Sequence, residues 1–286
     1  MATTTLPPLG AHLSTAGGTW RAIDRAHDLD CTALQIFTQA PGRWLGREID
    51  DAEAARFRSE MEARSLDGLT FAHAVYLINV AASREEIRDR GVAALAAQLT
   101  VARRLGLAGV VLHPGAHCGD GVDAGLERAA DGIRAAFEQA GEAPPLLLEV
   151  TAGQGTCLGH RLEEIGQLLD ALDGLPKGVC WDTAHLWAAG WDLTDEEVWE
   201  ELWGQFRAVT GRQAPELVHL NDTNVELGRR VDRHARIGHG RLGVDTFRRV
   251  VLDPRLREVP MVLETPKGPD EVTWDREALE LLRSLA

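Results

Sequence analysis

Seven residues of this chain share one kind of position. His73, His113, Glu149, Asp182, His185, His219 and Glu264 each stand at or just past the end of a short apolar run. Two more, Asp232 and His234, stand one residue apart in "VDRHARIGHG" (231–240), among arginines and glycines. Imidazole with carboxylate and no thiolate suits zinc, manganese or iron, whereas carboxylates alone would suggest magnesium or calcium. Burying so many ionisable groups unpartnered would cost several kcal/mol each, on the order of a whole domain's stability. A cluster of cations satisfies them together.

Each residue alone has an ordinary reading. His73 could be a satisfied core histidine, "DTAH" a strand-to-helix N-cap, and Glu264 an arginine partner. Recurrence at successive strand ends is what points to metal. The 231–240 loop by itself reads as a basic nucleic-acid contact, a pair of metal ligands or a polar turn.

The runs that must position these residues are 9–14, 33–38, 68–74, 109–115, 145–151, 178–185, 216–222 and 259–265. Near-continuous apolar runs of this length suit strands buried on both faces. Amphipathic segments lie between them. In 83–106, Ile87, Leu95, Leu99 and Leu105 fall on one face. In 194–211, Thr194 and Glu197 form a capping-box pattern, with Gly211 as the stop. Eight strand–helix units predict an α/β fold, a single-domain (β/α)₈ TIM barrel over 9–286, with a flexible tail over 1–8. An open doubly wound sheet is the runner-up, but no G-x-G-x-x-G follows the first strand. In a barrel the strand ends converge on one face, where active sites lie. His12 and His117 are expected near that mouth as supports rather than ligands, and His27 and His160 on the surface.

Bulk properties narrow the class. The net charge of −14 argues against a general nucleic-acid binder, although bound cations and a local basic rim can reverse the field. Cys31, Cys118, Cys157 and Cys180 form no C-x-x-C pair, so neither a thiolate zinc finger nor a disulfide framework is suggested. No apolar run approaches a membrane span, and "MATTTLPPLG" lacks the regions of a signal peptide, so a cytoplasmic location is expected.

The segments "GAHLSTAGG", "FAHAVYLINVA", "VLHPGAH", "LEVTAGQGT", "WDTAHLWAAGWDL", "HLNDTN", "VDRHARIGHGRLG" and "LETP" run in order from about residue 9 to 265. They closely resemble the endonuclease IV family of apurinic/apyrimidinic endonucleases. The resemblance implies a barrel with three zinc ions, with manganese or iron able to fill part of the set. Carried over by motif, His73, His113 and Glu149 hold the first ion. Glu149 bridges to the second, which also takes Asp182, His219 and Glu264. His185, Asp232 and His234 hold the third. Glu149 and Glu264 are the carboxylates assigned to the chemistry. The implied reaction is cleavage of double-stranded DNA 5′ to an abasic site, leaving a 3′-hydroxyl and a 5′-deoxyribose phosphate. The implied substrates are abasic or damaged 3′ sites, and the protein is expected to act as a monomer.

By the same resemblance Tyr76 and Leu77 are the residues that enter the bent duplex. Core packing is their ordinary alternative. The family places a duplex-entering arginine where this chain has Gly42, which leaves Arg43 as its substitute. Val150 replaces a polar residue, Asn224 a lysine, and His239 a glutamate. These departures bear on DNA contacts and remove no ligand. The rival function is a metal-dependent sugar isomerase or epimerase of the xylose-isomerase-like group. Such enzymes need one or two metals and have no use for His185, Asp232 and His234 together. A barrel that binds without catalysis is a further alternative, opposed by the intact ligand set.

Overall fold

The computed structural model describes residues 6–40 and 42–286. All eight apolar runs form strands: β1 (Leu9–Leu13), β2 (Ala33–Phe37), β3 (Thr70–His73), β4 (Gly109–Leu112), β5 (Leu146–Glu149), β6 (Lys177–Asp182), β7 (Leu217–His219) and β8 (Met261–Leu263). Each pairs in parallel with its sequence neighbours, and β8 closes onto β1. The helices are α1 (Trp20–Asp28), α2 (Asp51–Ala63), α3 (Glu85–Leu105), α4 (Val122–Ala140), α5 (Leu162–Ala171), α6 (Thr183–Ala189), α7 (Glu196–Thr210), α8 (Gly243–Leu252) and α9 (Thr273–Arg283). This is a (β/α)₈ barrel, as expected. Closure needs a close approach of β1 to β2 at Gly10, where a Cβ would lie 1.7 Å from Ala33 O.

Helix ends refine the sequence reading. In α3, Leu95, Leu99 and Leu105 are buried as expected, and Ile87 is half-buried. Gly106 stops the helix in the left-handed conformation. The cap of α7 is Asp195, one residue later than the Thr194 expected. Its carboxylate accepts from the backbone N–H groups of Glu197 and Val198, while Thr194 Oγ1 donates to Asp192 Oδ1. A carboxylate outcompetes a hydroxyl for these positively polarised donors. Gly211 ends α7 in the left-handed region, at φ 67°.

The barrel interior explains where the polar residues go. Ala33, Phe71, Val111, Leu147, Cys180, Leu217 and Val262, one from each of β2 to β8, form an apolar cluster separate from the main core. Successive strand residues point to opposite faces, so a residue two positions on shares its face. Two positions on from these seven stand Gln35, His73, His113, Glu149, Asp182, His219 and Glu264. On β1, His12 is level with Gln35. The barrel thus carries an apolar plug beneath one polar residue per strand at its C-terminal mouth.

Residues 1–5 of the expected N-terminal tail lie outside the described residues. Within 6–8, Pro8 O accepts from Met261 N at 2.8 Å, and Leu6 packs on the core. No helix among the described residues is long and apolar enough to cross a membrane.

Candidate metal centre

Glu149 is fully buried at the centre of the polar ring. Its Oε2 lies 3.0 Å from both His73 Nε2 and His113 Nε2. Its Oε1 lies 3.1 Å from His219 Nδ1 and 3.2 Å from His185 Nδ1. The two oxygens therefore face two different sets of imidazoles, the arrangement of a bridging carboxylate. His219 Nδ1 also faces Glu264 Oε2 at 3.1 Å and Asp182 Oδ2 at 3.9 Å. Asp232 Oδ1 lies 3.3 Å from His185 Nε2 and 3.4 Å from His234 Nε2. Asp182 Oδ2, 3.5 Å from His234 Nε2, stands between these last two sets.

All nine sequence candidates thus converge. Three overlapping groups can each bring one donor atom per residue within 4.8 Å: His73, Glu149, His219 and Glu264; His113, Glu149 and His185; and Asp182, His185 and His234. Asp232 belongs to none of these groups, but its Oδ1 contacts both histidines of the third. His185 Nε2 and His234 Nε2 are buried without a hydrogen-bond partner, although Asp232 Oδ1 is close to both. Ligands about 2.0–2.1 Å from a tetrahedral ion are separated by about 3.3 Å. The donor spacings match that edge, and orphaned nitrogens converging on a shared oxygen are what a cation would satisfy. The all-N/O donor set fits zinc or a similar transition ion.

Local folding sets each ligand. Asp182 both ends β6 and caps α6, its Oδ1 accepting from Ala184 N and His185 N at 2.7 and 2.9 Å. The N-cap and ligand readings of "DTAH" are therefore compatible. Three imidazoles donate Nδ1–H to backbone carbonyls: His73 to Ala74 O, His185 to Val150 O and His234 to Glu264 O. That leaves Nε2 of each for the cluster. The side chain of Val150 packs into the core while its carbonyl holds His185.

The electrostatics are those of a site built for positive charge. Burial alone would raise Glu149, but His113, His219 and His185 hold it well below the usual carboxylate range. Glu264 is likewise lowered well below that range against its burial, by His219 and His12. Asp232 resists its burial penalty through His185 and falls to about 2. Burial opposes charge on His185, yet Asp182, Asp232 and Glu149 raise it well above its ordinary value. His73, also opposed by burial, is raised by Glu149 and Glu264.

Several supporting residues went unnoticed in the sequence. Asn221 Nδ2 donates to Asp182 Oδ2 at 2.7 Å, and its Oδ1 accepts from Glu264 N at 2.9 Å. Asp222 anchors the 231–243 loop. Gln35 links His12, His219 and Glu264. A period-two count back from the end of β2 could have found Gln35, the one polar residue in "ALQIF". His12 accepts from Gln35 and stays outside the three groups, as expected. His117 Nδ1 accepts from Gly119 N and Gly121 N, which makes it a loop cap. His27 is exposed as expected. His160 is a correction: its side chain is 12% exposed and pairs with Glu164, because the 151–160 loop folds back over α5.

Tyr76 is 65% exposed at the lip of the cluster, its ring centroid 6.1 Å from His73 and 5.9 Å from His113. Leu77 is half-buried against the core. Arg43 is exposed, with its backbone held by Ala40 O and Gln39 Nε2. Nothing lies within 4 Å of a Cβ built on Gly42, so sterics do not demand glycine there. Arg233 is exposed, whereas Arg236 is engaged by Glu277 and stacks on Trp274. His239 is exposed on the turn, and Asn224 is exposed with its carbonyl accepting from Arg241. A cavity of about 240 Å³ beside Tyr76, His113 and Asp232, and one of about 960 Å³ beside His12, Phe37 and Lys267, flank the cluster.

Comparisons with known proteins identify the family of this barrel. Residues 23–285 match the family model of the xylose isomerase-like TIM barrel. The chain is 41% identical to a probable endonuclease 4 of Chloroflexus aurantiacus, over 98% of each chain. It is similar to the crystal structure of endonuclease IV from Thermus thermophilus, with 37% identity, a TM-score of 0.86, and coverage of 98% of this chain and 100% of that one. A D-tagatose 3-epimerase-like structure matches at 16% identity and a TM-score of 0.69, over 97% of each chain, a likeness of fold alone.

Proposed function

The chain belongs to the endonuclease IV family of xylose-isomerase-like TIM barrels, and from that premise we propose that it is a DNA-repair endonuclease hydrolysing the phosphodiester 5′ to abasic sites, with a 3′-hydroxyl and a 5′-deoxyribose phosphate as products. The observation that carries this reading is the third ligand group. His185, Asp232 and His234 converge beside a bridging Glu149, and a sugar isomerase working with one or two ions would leave them idle.

His73, His113 and Glu149 would hold a first ion; Glu149, Asp182, His219 and Glu264 a second; and His185, Asp232 and His234 a third, zinc being the best match to the donors. Bound there, such ions lower the pKa of water towards ~7 and neutralise phosphate charge. The chain's own contribution is positioning. Glu149, buried at the end of β5, and Glu264, half-buried just past β8, fix the donor geometry, and the backbone carbonyls hold the imidazole rings. Preorganised charge of this kind is the main source of catalysis in phosphodiester chemistry.

An abasic nucleotide is reached by extrusion from the duplex. Tyr76, exposed at the lip, and Leu77 behind it suit entry into the gap, and Arg43 and Arg233 suit phosphate contact. The flanking cavities leave room for an extruded sugar beside the cluster. The protein is read as a cytoplasmic monomer acting on double-stranded DNA with abasic or damaged 3′ sites. The test is incision of a duplex carrying one abasic analogue, with and without chelator. Protein that holds three ions and leaves that duplex intact would overturn the proposal.

A further inference from the structure

His219 differs from the other imidazoles of the cluster in how its ring is held. His73, His185 and His234 are each oriented by a backbone carbonyl on Nδ1 and offer Nε2 inward. His219 offers Nδ1 inward, 3.1 Å from both Glu149 Oε1 and Glu264 Oε2, and its Nε2 meets a side chain, Gln35, at 2.9 Å.

The direction of every bond in this network follows from one carboxylate. Gln35 Nε2 lies 2.5 Å from Glu264 Oε1. A carboxylate only accepts, so the amide end facing it must be the NH₂ group. The other end, facing His219, is then the carbonyl, which cannot donate. His219 must therefore donate from Nε2, so that in its neutral, metal-binding form the Nδ1 lone pair is the one left for the cluster. The second amide hydrogen of Gln35 reaches His12 Nδ1 at 3.0 Å. Gln35 is fully buried, so no water substitutes for these bonds.

We propose that Gln35 is a positioning residue for the second metal position. It selects the Nδ1-free tautomer of His219 and holds the rotamer of Glu264 with one planar amide. This rests on the reading of the cluster as a metal centre. Partners of ligating imidazoles and carboxylates typically contribute about 10- to 100-fold in metal affinity. Of the tautomer locks seen here, this one alone is a side chain, so it alone can be removed by substitution.

The experiment compares wild type with Gln35→Met and Gln35→Glu. Ions per chain are counted by mass spectrometry, and chelator competition measures the affinity of each ion. Long-range ¹H–¹⁵N spectra of the zinc-loaded proteins report which nitrogen of each histidine carries the proton. Wild type is expected to hold three ions and to show the assigned His219 ring protonated on Nε2 alone. Gln35→Met is expected to lose about 10- to 100-fold in affinity for one ion of the three, with that histidine signal becoming a tautomer mixture. Gln35→Glu keeps an acceptor for His219 but loses the donor to Glu264, and is expected to fall between the two. Equal affinities for all three ions in Gln35→Met, or an unchanged histidine signal, would overturn the assignment. So would a uniform loss of all three ions with a lowered metal-free melting temperature, which marks a purely structural role. Wild type that binds no ion defeats the metal reading itself, a result distinct from these.

Discussion

Gly240 lies against Asp222 with no room for a side chain. Its N–H donates to Asp222 Oδ2 at 2.9 Å, and a Cβ on Gly240 would come within 2.3 Å of Asp222 Oδ1 and 2.5 Å of Thr223 O. The same buried carboxylate also accepts from Thr223 N, Gly238 N and Leu242 N. Ala235 N donates to Asp222 O at 2.6 Å. One side chain thus folds the 231–243 loop over the end of β7 and so places Asp232 and His234.

Asp222→Asn should therefore disturb the third ligand group from a distance. An amide sets an NH₂ where backbone N–H groups need an acceptor, and each buried donor left bare costs about 1–3 kcal/mol. The expected outcome is a lowered melting temperature and two retained ions in place of three. Gly240→Ala should act in the same direction through steric displacement. A full complement of ions at wild-type affinity in Asp222→Asn would remove this role.

Asp232→Asn tests the third group directly. Asp232 is only partly buried, so its loss should leave the fold intact while weakening the ion shared with His185 and His234. Incision of an abasic duplex should fall by about two to three orders of magnitude, the usual effect of losing one preorganised electrostatic stabiliser. Retention of the other two ions, measured by mass spectrometry, separates this from collapse of the site.

The dependence on pH should reverse sign when metal is removed. In the metal-free protein His73 and His185 have raised pKa values. Their contribution to stability is complete below the unfolded value of about 6.5 and is lost as pH rises through the folded values. Glu149 and Glu264 are lowered, so their contribution is present above about 4.5 and is lost as pH falls through the folded values. Metal binding requires neutral imidazole, so the raised values push proton competition above pH 6.5. Melting temperature above about pH 6.5 should fall with rising pH in chelator and rise with pH when zinc is present. Parallel curves would contradict the cluster's protonation as described.

Tyr76 and Leu77 should separate by substitution. Tyr76 is largely exposed, so Tyr76→Ala should change stability by no more than about 0.5 kcal/mol. Its affinity for an abasic duplex should drop by about 1–3 kcal/mol if the ring stacks in the lesion. Leu77 packs partly on the core, so Leu77→Ala should lower both the melting temperature and the affinity. Unchanged duplex affinity in Tyr76→Ala would assign the ring to packing at the cluster's lip.

Much of the site is legible in the sequence alone. The barrel follows from eight apolar runs, and seven of the nine candidate ligands follow from their places at the run ends. Both depend on short-range regularities, the two-residue period of a strand and the parallel order of successive units. Thr194 and His160 were misread for a local reason. A neighbouring carboxylate competed better for the cap in one case, and a loop folded back over a buried glutamate in the other.

By itself the sequence determined which side chains face the barrel mouth, since alternation along each strand leaves them no other face. Only the tertiary structure decided how those side chains are held. Gln35 reaches His219 and Glu264 across 184 and 229 residues of chain, and Asp222 reaches Gly240 across the loop that it anchors. Such contacts arise from barrel closure through β1, which brings the second strand within side-chain reach of the seventh and eighth. No periodicity along the chain encodes that distance in space.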